Sequence, residues 1–345
     1  MSNVLPVRAS WVLDAGSESD VVISTRARLA RNLADYPFPD RASADELAGV
    51  SLAVTEAVDV LKTRFPKIAA IRLAETDSTT LDSLLDTHLI SPDHSANTED
   101  RIIILEPTGK LSIMVNEEDH LRVQSLQPGF DVASAWAMVD WADDQLSSRL
   151  RFGYSPKYGY LTSSVSNVGT GLRISVMMHL AGLALCGRLR KTLRAAYDLG
   201  ASVRGMFGEG SKLVGDIYQV SNELTLGITE SEIADRVRST ASYLVREERE
   251  ARSELLDERR HDILSRASRA LQKLQNARAL SVEQALTLVS PVRLALSTRL
   301  GNGSVTVINE ILAGSRAASS ESFEQSSARA ALIRTKTLGI TLVSA

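Results

Sequence analysis

The stretch Arg101-Ile102-Ile103-Ile104-Leu105-Glu106-Pro107-Thr108-Gly109-Lys110-Leu111-Ser112-Ile113-Met114-Val115 decides the fold class of this chain. Two β-branched, apolar runs flank Pro107-Thr108-Gly109, residues that favour a turn, so the stretch reads as an antiparallel hairpin. Upstream, Val21-Val22-Ile23 reads as another strand. Ser43 to Leu61 and Ala133 to Leu146 instead place apolar residues at helical spacing. Helices therefore alternate with strands that pair antiparallel, and the expected class is α+β.

Further along, Thr229-Glu230-Ser231-Glu232 is a capping box that opens a helix expected to reach about Arg252. Glu247 to Asp262 is dense in opposite charges at i,i+4 spacing, the pattern of a solvated helix. A second start signal, Ser281-Val282-Glu283-Gln284, precedes the Gly301-Asn302-Gly303 break. Nearly all Trp, Tyr and His lie before this Ala/Arg/Leu/Ser-rich, helix-favouring tail. Two domains are expected, residues 1–252 and a helical C-terminal domain over 253–345. No fixed-period repeat is present.

The 345 residues, 44% hydrophobic and 23% charged, have the composition of a packed globule and exclude disordered and collagen-like chains. The net charge of -3 provides no chain-wide cationic field for nucleic acid or anionic lipid. From residue 252 onward, 13 Lys plus Arg face 8 Asp plus Glu. This mildly basic tail lacks a basic run with interleaved aromatics, so solvated helix faces outrank a nucleic-acid site. The most apolar stretch, Val176 to Cys186, is interrupted by His179 and falls well short of the roughly 20 residues that span a bilayer. The first residues lack a signal-peptide pattern and Cys186 is the sole cysteine, which excludes an intrachain disulfide and makes a cytoplasmic location the default.

Four segments carry residues suited to chemistry. In Ser24-Thr25-Arg26-Ala27-Arg28, strand alternation would turn Arg26 and Arg28 to one face, where two guanidinium groups repel unless a polyanion lies between them. Surface arginines paired with acids are the plain alternative. In Asn116-Glu117-Glu118-Asp119-His120-Leu121-Arg122, positions 118 and 122 share a face at either period, so a carboxylate and an arginine look onto the same space. The run could also be a charged loop, and it is a poor zinc or two-metal pattern. Asn167-Val168-Gly169-Thr170-Gly171-Leu172-Arg173 enters a strand-like run that places Arg173, Ser175 and His179 on one face. It has neither the P-loop ending nor the dinucleotide spacing. Arg204-Gly205-Met206-Phe207-Gly208-Glu209-Gly210-Ser211 adds an arginine, a glycine-rich loop and a carboxylate. Phosphoryl transfer requires little beyond such cations, with Mg²⁺ bridging nucleotide oxygens and a proton acceptor nearby.

In this order the four segments resemble the signatures of the ATP:guanido phosphotransferase (phosphagen kinase) family, specifically its bacterial protein arginine kinase branch. Tyr218-Gln219-Val220-Ser221-Asn222 and Thr225-Leu226-Gly227 resemble the segment that follows them, and the likeness covers about residues 20 to 252. It implies an antiparallel sheet flanked by helices and a nucleotide site over Ser24, Thr25, Arg26, Ala27 and Arg28, His88, Arg122, Arg173, Ile174, Ser175, Val176 and Met177, and Arg204, Gly205, Met206, Phe207, Gly208 and Glu209. The arginines would hold the phosphates of ATP, with Mg²⁺ held chiefly by the nucleotide and no protein metal site. Glu118 and Glu209 would hold the acceptor guanidinium beside Ser164 and Asn167. A guanidinium is a poor nucleophile while protonated, which makes Glu118 the candidate base. The loop Met206 to Ser211 would close over the site.

Classical small-molecule kinases of the family are similar but carry a helical domain of about a hundred residues where this chain has 23 before the first arginine motif. The resemblance therefore implies protein substrates with exposed arginine, an activating partner protein and a homodimer. A kinase for a small guanidino compound and a nucleotide-binding scaffold with little turnover are the alternatives. Two departures stand out. Ser164-Val165 occupies the family's Cys-Pro, a change expected to remove a thiolate, slow catalysis and abolish redox control at that position. Gln325-Ser326-Ser327-Ala328-Arg329-Ala330 keeps half of the branch's Arg-Asp-x-x-Arg-Ala phosphoarginine pocket, and helix packing is a sufficient role for Arg329.

Overall fold

The computed structural model describes residues 9–205, 214–315 and 322–343. The hairpin read from the sequence forms, with Ile102 opposite Val115 and Leu105 opposite Ser112. It belongs to an eight-stranded sheet whose members, in chain order, are β1 (Val22–Arg31), β2 (Ala69–Arg72), β3 (Ile102–Leu105), β4 (Leu111–Val115), β5 (Leu121–Pro128), β6 (Leu172–His179), β7 (Ala201–Gly205) and β8 (Ile217–Asn222). Their spatial order is β2-β3-β4-β5-β1-β6-β8-β7, and each neighbouring pair is antiparallel.

Period-two alternation assigns the faces. Ala27, Leu29, Val123, Ile174, Val176 and Val220 point to one side, into a core shared with the helices Ala44–Ala57 and Val132–Ser147 and the first half of Glu230–Asn276. Burying each such Val, Leu or Ile contributes roughly 1.5–3 kcal/mol, so this face anchors the sheet. A bulge between Val22 and Ser24 turns Ile23 to the other side. There it joins Leu126, Met177 and the C-terminal helices Val282–Ser297, Val305–Ala313 and Phe323–Thr337 in a second core. Polar residues of that same face, farther along the strands, build the site.

The capping boxes at Thr229 and Ser281 both form. The helix expected to stop near Arg252 instead runs from Glu230 to Asn276, with a kink at Arg259 (φ -135°, ψ 27°). Its apolar stripe continues through Leu255, Ile263, Leu264, Ala267, Leu271 and Leu274, all buried, so packing carries the helix past residue 252. Arg252 itself is buried in a joint. Its guanidinium donates to Glu248 at 2.6 Å, to the carbonyls of Asp20 and His179 at 2.8 and 3.0 Å, and to Ser297 Oγ at 3.0 Å. Among the described residues, no helix is long and apolar enough to cross a membrane.

Candidate active site

Strand register gathers the arginines. Arg26 lies opposite Ser175 and Leu126, and Arg28 lies opposite Arg173 and Gln124. Arg122 is two positions from Gln124 on β5 and therefore shares its face. On the far side, Met177 pairs with Gln219, which pairs with Arg204. Three strands of the sheet, β1, β5 and β6, and the edge strand β7 thus present Arg26, Arg28, Arg122, Arg173 and Arg204 on one face. Ser24 and Ser175 stand among them. Ser175 Oγ accepts a 2.8 Å hydrogen bond from Gln219, and Arg173 donates to Ser221 at 3.1 Å.

The electrostatics are those of an anion site. Desolvation, then the charges of Arg122 and Arg173, push the Arg26 guanidinium down to about 9. Desolvation, Arg122, Arg26 and Arg173 push Arg28 well down from its ordinary value, with Glu117 pulling weakly the other way. Arginine keeps its proton in proteins, so these shifts register repulsion rather than neutralisation. Among the described residues neither side chain has an ion-pair partner, and Arg26 Nε is buried without a hydrogen bond. His88, beside them, has its pKa lowered to about 4 by desolvation and by Arg26.

Glu118 sits at the tip of the tight loop between β4 and β5. Asn116 adopts φ +60°, which its short side chain tolerates, and donates its amide to the carbonyls of Leu47 and Asp100. Backbone bonds from Asn116 to His120 and from Glu117 to Asp119 close the loop and leave Glu118 exposed while its neighbours are buried. Desolvation and Asp119 raise the Glu118 pKa, with Arg122 and Arg28 pulling against them, so the carboxyl senses two arginines of the face. Ser164 precedes a short 3-10 turn, Val165–Asn167, which Asn167 ends. This turn is tied to the Glu118 loop because Asp119 Oδ1 accepts from Ser163 N at 2.7 Å and from Asn32 Nδ2 at 2.6 Å.

Some residues expected in the site face elsewhere. Thr25, Ala27, Ile174 and Val176 alternate to the opposite side, where Thr25 Oγ1 donates to the Gly129 carbonyl and the other three fill the core. They shape the strands without lining the face. Gly205 ends β7, and Met206, Phe207, Gly208 and Glu209, with the loop reading to Ser211, lie outside the described residues. Sequence reasoning missed Glu117. Its carboxylate pairs with Arg122 Nη1 at 2.5 Å and accepts from Ser91 Oγ, and these contacts hold its pKa near 2 despite the opposing pull of burial. In the sequence it was one of three consecutive acids. Only the alternation that sends 117 and 118 to different surroundings separates them. Among the described residues no group of three or more His, Cys, Asp or Glu side chains is placed to hold a metal ion.

The family described as ATP:guanido phosphotransferase, C-terminal catalytic domain, matches residues 50–251. A protein-arginine kinase of Halothermothrix orenii is 41% identical over 286 residues, covering 83% of this chain and 81% of the relative. That of Pelotomaculum thermopropionicum is 40% identical over 309 residues, covering 88% and 86%. Among solved structures, lombricine kinase superposes with a TM-score of 0.61 at 24% identity over 71% of each chain, a likeness of fold. The duplicated taurocyamine kinase of Schistosoma mansoni, with bound transition-state-analogue components, gives 0.60 at 25% identity over 68% of this chain and 34% of the other.

Proposed function

The chain belongs to the ATP:guanido phosphotransferase family, and from that premise we propose that it is a protein-arginine kinase, which moves the γ-phosphoryl group of ATP to arginine side chains of other proteins. One observation carries the reading. Arg26 and Arg28 are part-buried beside Arg122 and Arg173 with no described carboxylate of their own, while the free carboxylate Glu118 stands at the edge of the same face. Uncompensated cations of this kind are tolerable when a polyanion neutralises them. The orphaned Arg26 Nε fits a phosphate oxygen as its partner. The relatives named protein-arginine kinases match most of the chain, which supports a protein rather than a free guanidino compound as acceptor.

In this mechanism the arginine face holds the nucleotide phosphates and neutralises charge as it shifts toward the leaving oxygen. Magnesium, bound chiefly by the nucleotide, supplies further charge stabilisation. Glu118 orients the acceptor guanidinium and accepts its proton as the N–P bond forms and the bond from Pγ to the bridging oxygen breaks, releasing ADP. Its raised pKa makes it a stronger proton acceptor than a free carboxylate. Glu117 keeps Arg122 in place, and Asp119 sets the Ser164 turn beside Glu118. Glu209 is the second acceptor carboxylate. Protein substrates, a cytoplasmic location, a homodimer and an activating partner belong to the same proposal and rest on the family resemblance.

The test is incubation of the purified chain with Mg·ATP and either an arginine-rich protein or free arginine, scored by acid-labile phosphate in the product. Protein labelling is expected, and Glu118→Gln should lower kcat by about 10²- to 10⁴-fold with ATP affinity retained. Labelling of free arginine alone would overturn the choice of acceptor, and undiminished turnover in the variant would remove Glu118 from its role.

A further inference from the structure

Trp11 lies outside every motif that marks the site, and it is 1% exposed on a short helix, Ser10–Leu13. Its indole N–H donates to the Thr87 carbonyl at 2.9 Å, and its ring meets His88 edge-on with centroids 5.4 Å apart and planes at 87°. Both rings line one small cavity together with Ser24, Arg26, Ser175 and Gln219. His88 holds φ +61°, a left-handed conformation uncommon for any residue with a Cβ. It persists because the surroundings over-determine it. Trp11 holds the preceding carbonyl and the imidazole edge, and Gln124 Nε2 donates to the His88 carbonyl at 2.9 Å.

The clamp is fixed in turn from the C-terminal helices. Asn309, on Val305–Ala313, donates its amide to the Trp11 carbonyl at 3.3 Å and accepts from Arg293 Nη1 at 3.1 Å, and Arg293 Nη2 reaches the Ser19 carbonyl at 2.9 Å. Ser10 N donates to the Thr108 carbonyl at 2.9 Å, which ties the short helix to the turn of the β3–β4 hairpin. The aromatic ring, the strained histidine and the C-terminal helix thus form one connected, buried unit.

We propose that Trp11 is a positioning residue of the nucleotide site, clamping His88 in its left-handed conformation, and that Asn309 holds the clamp shut, so that the C-terminal helices set affinity for ATP. The inference rests on the reading of His88 and Arg26 as nucleotide contacts. Losing the clamp lets His88 relax to ordinary conformations, and ATP affinity falls by the fraction that remains competent. If about one conformer in ten stays competent, affinity drops about tenfold.

The experiment uses the full chain with Trp11→Leu, Trp11→Phe, Asn309→Asp and His88→Ala, each verified as folded by thermal melting. Mg·ATP dissociation constants are measured by calorimetry, a readout that does not need turnover, alongside kcat and both KM values. Trp11→Leu should weaken ATP about tenfold, and Trp11→Phe, which keeps a ring edge but loses the N–H, about threefold. Asn309→Asp keeps an acceptor for Arg293, removes the donor to Trp11, and should fall between wild type and Trp11→Leu. KM for the protein acceptor and kcat at saturating ATP should stay within about twofold. Unchanged ATP affinity in the Trp11 and Asn309 variants, with a loss in His88→Ala, overturns the clamp alone. Unchanged affinity in His88→Ala removes the nucleotide contact and the clamp with it. A fall in kcat at unchanged ATP affinity would assign Trp11 a purely structural role.

Discussion

Arg28 and Arg31 lie three residues apart on β1 and differ in what surrounds them. Arg31 alternates to the core side and is 1% exposed. It grips Asp143 through Nε and Nη2, the latter at 2.7 Å, donates Nη1 to the carbonyls of Ala30 and Thr170 at 2.9 Å, and stacks 3.5 Å from the Tyr160 ring centroid. Arg28 has no described ion-pair partner and faces Arg26, Arg122 and Arg173. Arg252 repeats the Arg31 pattern, with every arm of its guanidinium hydrogen-bonded in the joint to the C-terminal helices. A buried cation that brings its own acceptors is part of the framework. A desolvated, part-buried cation without them is held for a ligand, because only the ligand removes the repulsion.

The contrast breaks most directly under substitution by methionine, which keeps the stem and removes the charge. Arg28→Met should cut kcat/KM for ATP by about 10²- to 10³-fold, the loss typical of one positioned donor in a phosphoryl-transfer site. It should also raise the melting temperature, since a desolvated charge repelled by three others disappears. Arg31→Met should lower stability by about 3–5 kcal/mol, because it leaves Asp143 buried without compensation near Asp140 and Asp144. Urea unfolding and steady-state kinetics on the pair decide the matter. Destabilisation by both substitutions would remove the distinction, as would retention of full activity by Arg28→Met.

Residue alternation already placed Arg26 with Arg28 and Arg173 with Ser175, and the hairpin around Pro107 to Gly109 set the class, because these features depend on local period and turn chemistry alone. Alternation also separates Arg31 from Arg28. Yet the partner that defines Arg31, Asp143, lies on a helix more than a hundred residues away, and sequence spacing carries no such contact. Glu117 and Asp119 were hidden for the same reason, since their roles come from Arg122 and Ser163 rather than from their own run of acids. The end of the helix beyond Arg252 was illegible because i,i+4 charge pairs mask an apolar stripe that only the C-terminal helices reveal. Trp11 carried no local signal, its meaning residing in Thr87, His88 and Asn309.

The histidines sharpen the comparison at lower amplitude. His94 and His120 are fully buried, and desolvation lowers the pKa of each to about 4. Between pH 6.5 and pH 4 the unfolded chain binds protons that the folded chain does not, so their contribution is complete above pH 6.5 and is lost as pH falls toward 4. At 1.36 kcal/mol per pH unit, the loss is on the order of 3 kcal/mol for each ring. Urea midpoints at pH 7 and pH 4.5 should show this fall, and it should shrink in His94→Gln. A pH-independent midpoint would contradict it. The Glu117–Arg122 pair acts in the same direction at lower pH: its contribution is complete above about pH 4.5 and is lost as pH falls toward about 2.

The smallest expected effect contrasts the two places where thiol chemistry matters. Cys186 is part-buried, donates weakly to the Ala251 carbonyl at 3.6 Å, and has its pKa raised by desolvation and Glu254. It should resist alkylation in the folded chain. Ser164 precedes the turn that Asp119 ties to the Glu118 loop, with Oγ 2.8 Å from Ser166 Oγ. With the acceptor guanidinium bound beside this turn as proposed, that cation would favour the thiolate of a thiol placed there. Ser164→Cys should therefore raise kcat severalfold, roughly 1 kcal/mol of barrier, and make activity sensitive to iodoacetamide where the wild type is not. Protection from the reagent by bound ATP and acceptor would locate residue 164 at the reacting centre. A variant indifferent to the reagent and unchanged in kcat would mean that the turn keeps residue 164 clear of the acceptor, so that its anchoring by Asp119 serves the backbone alone.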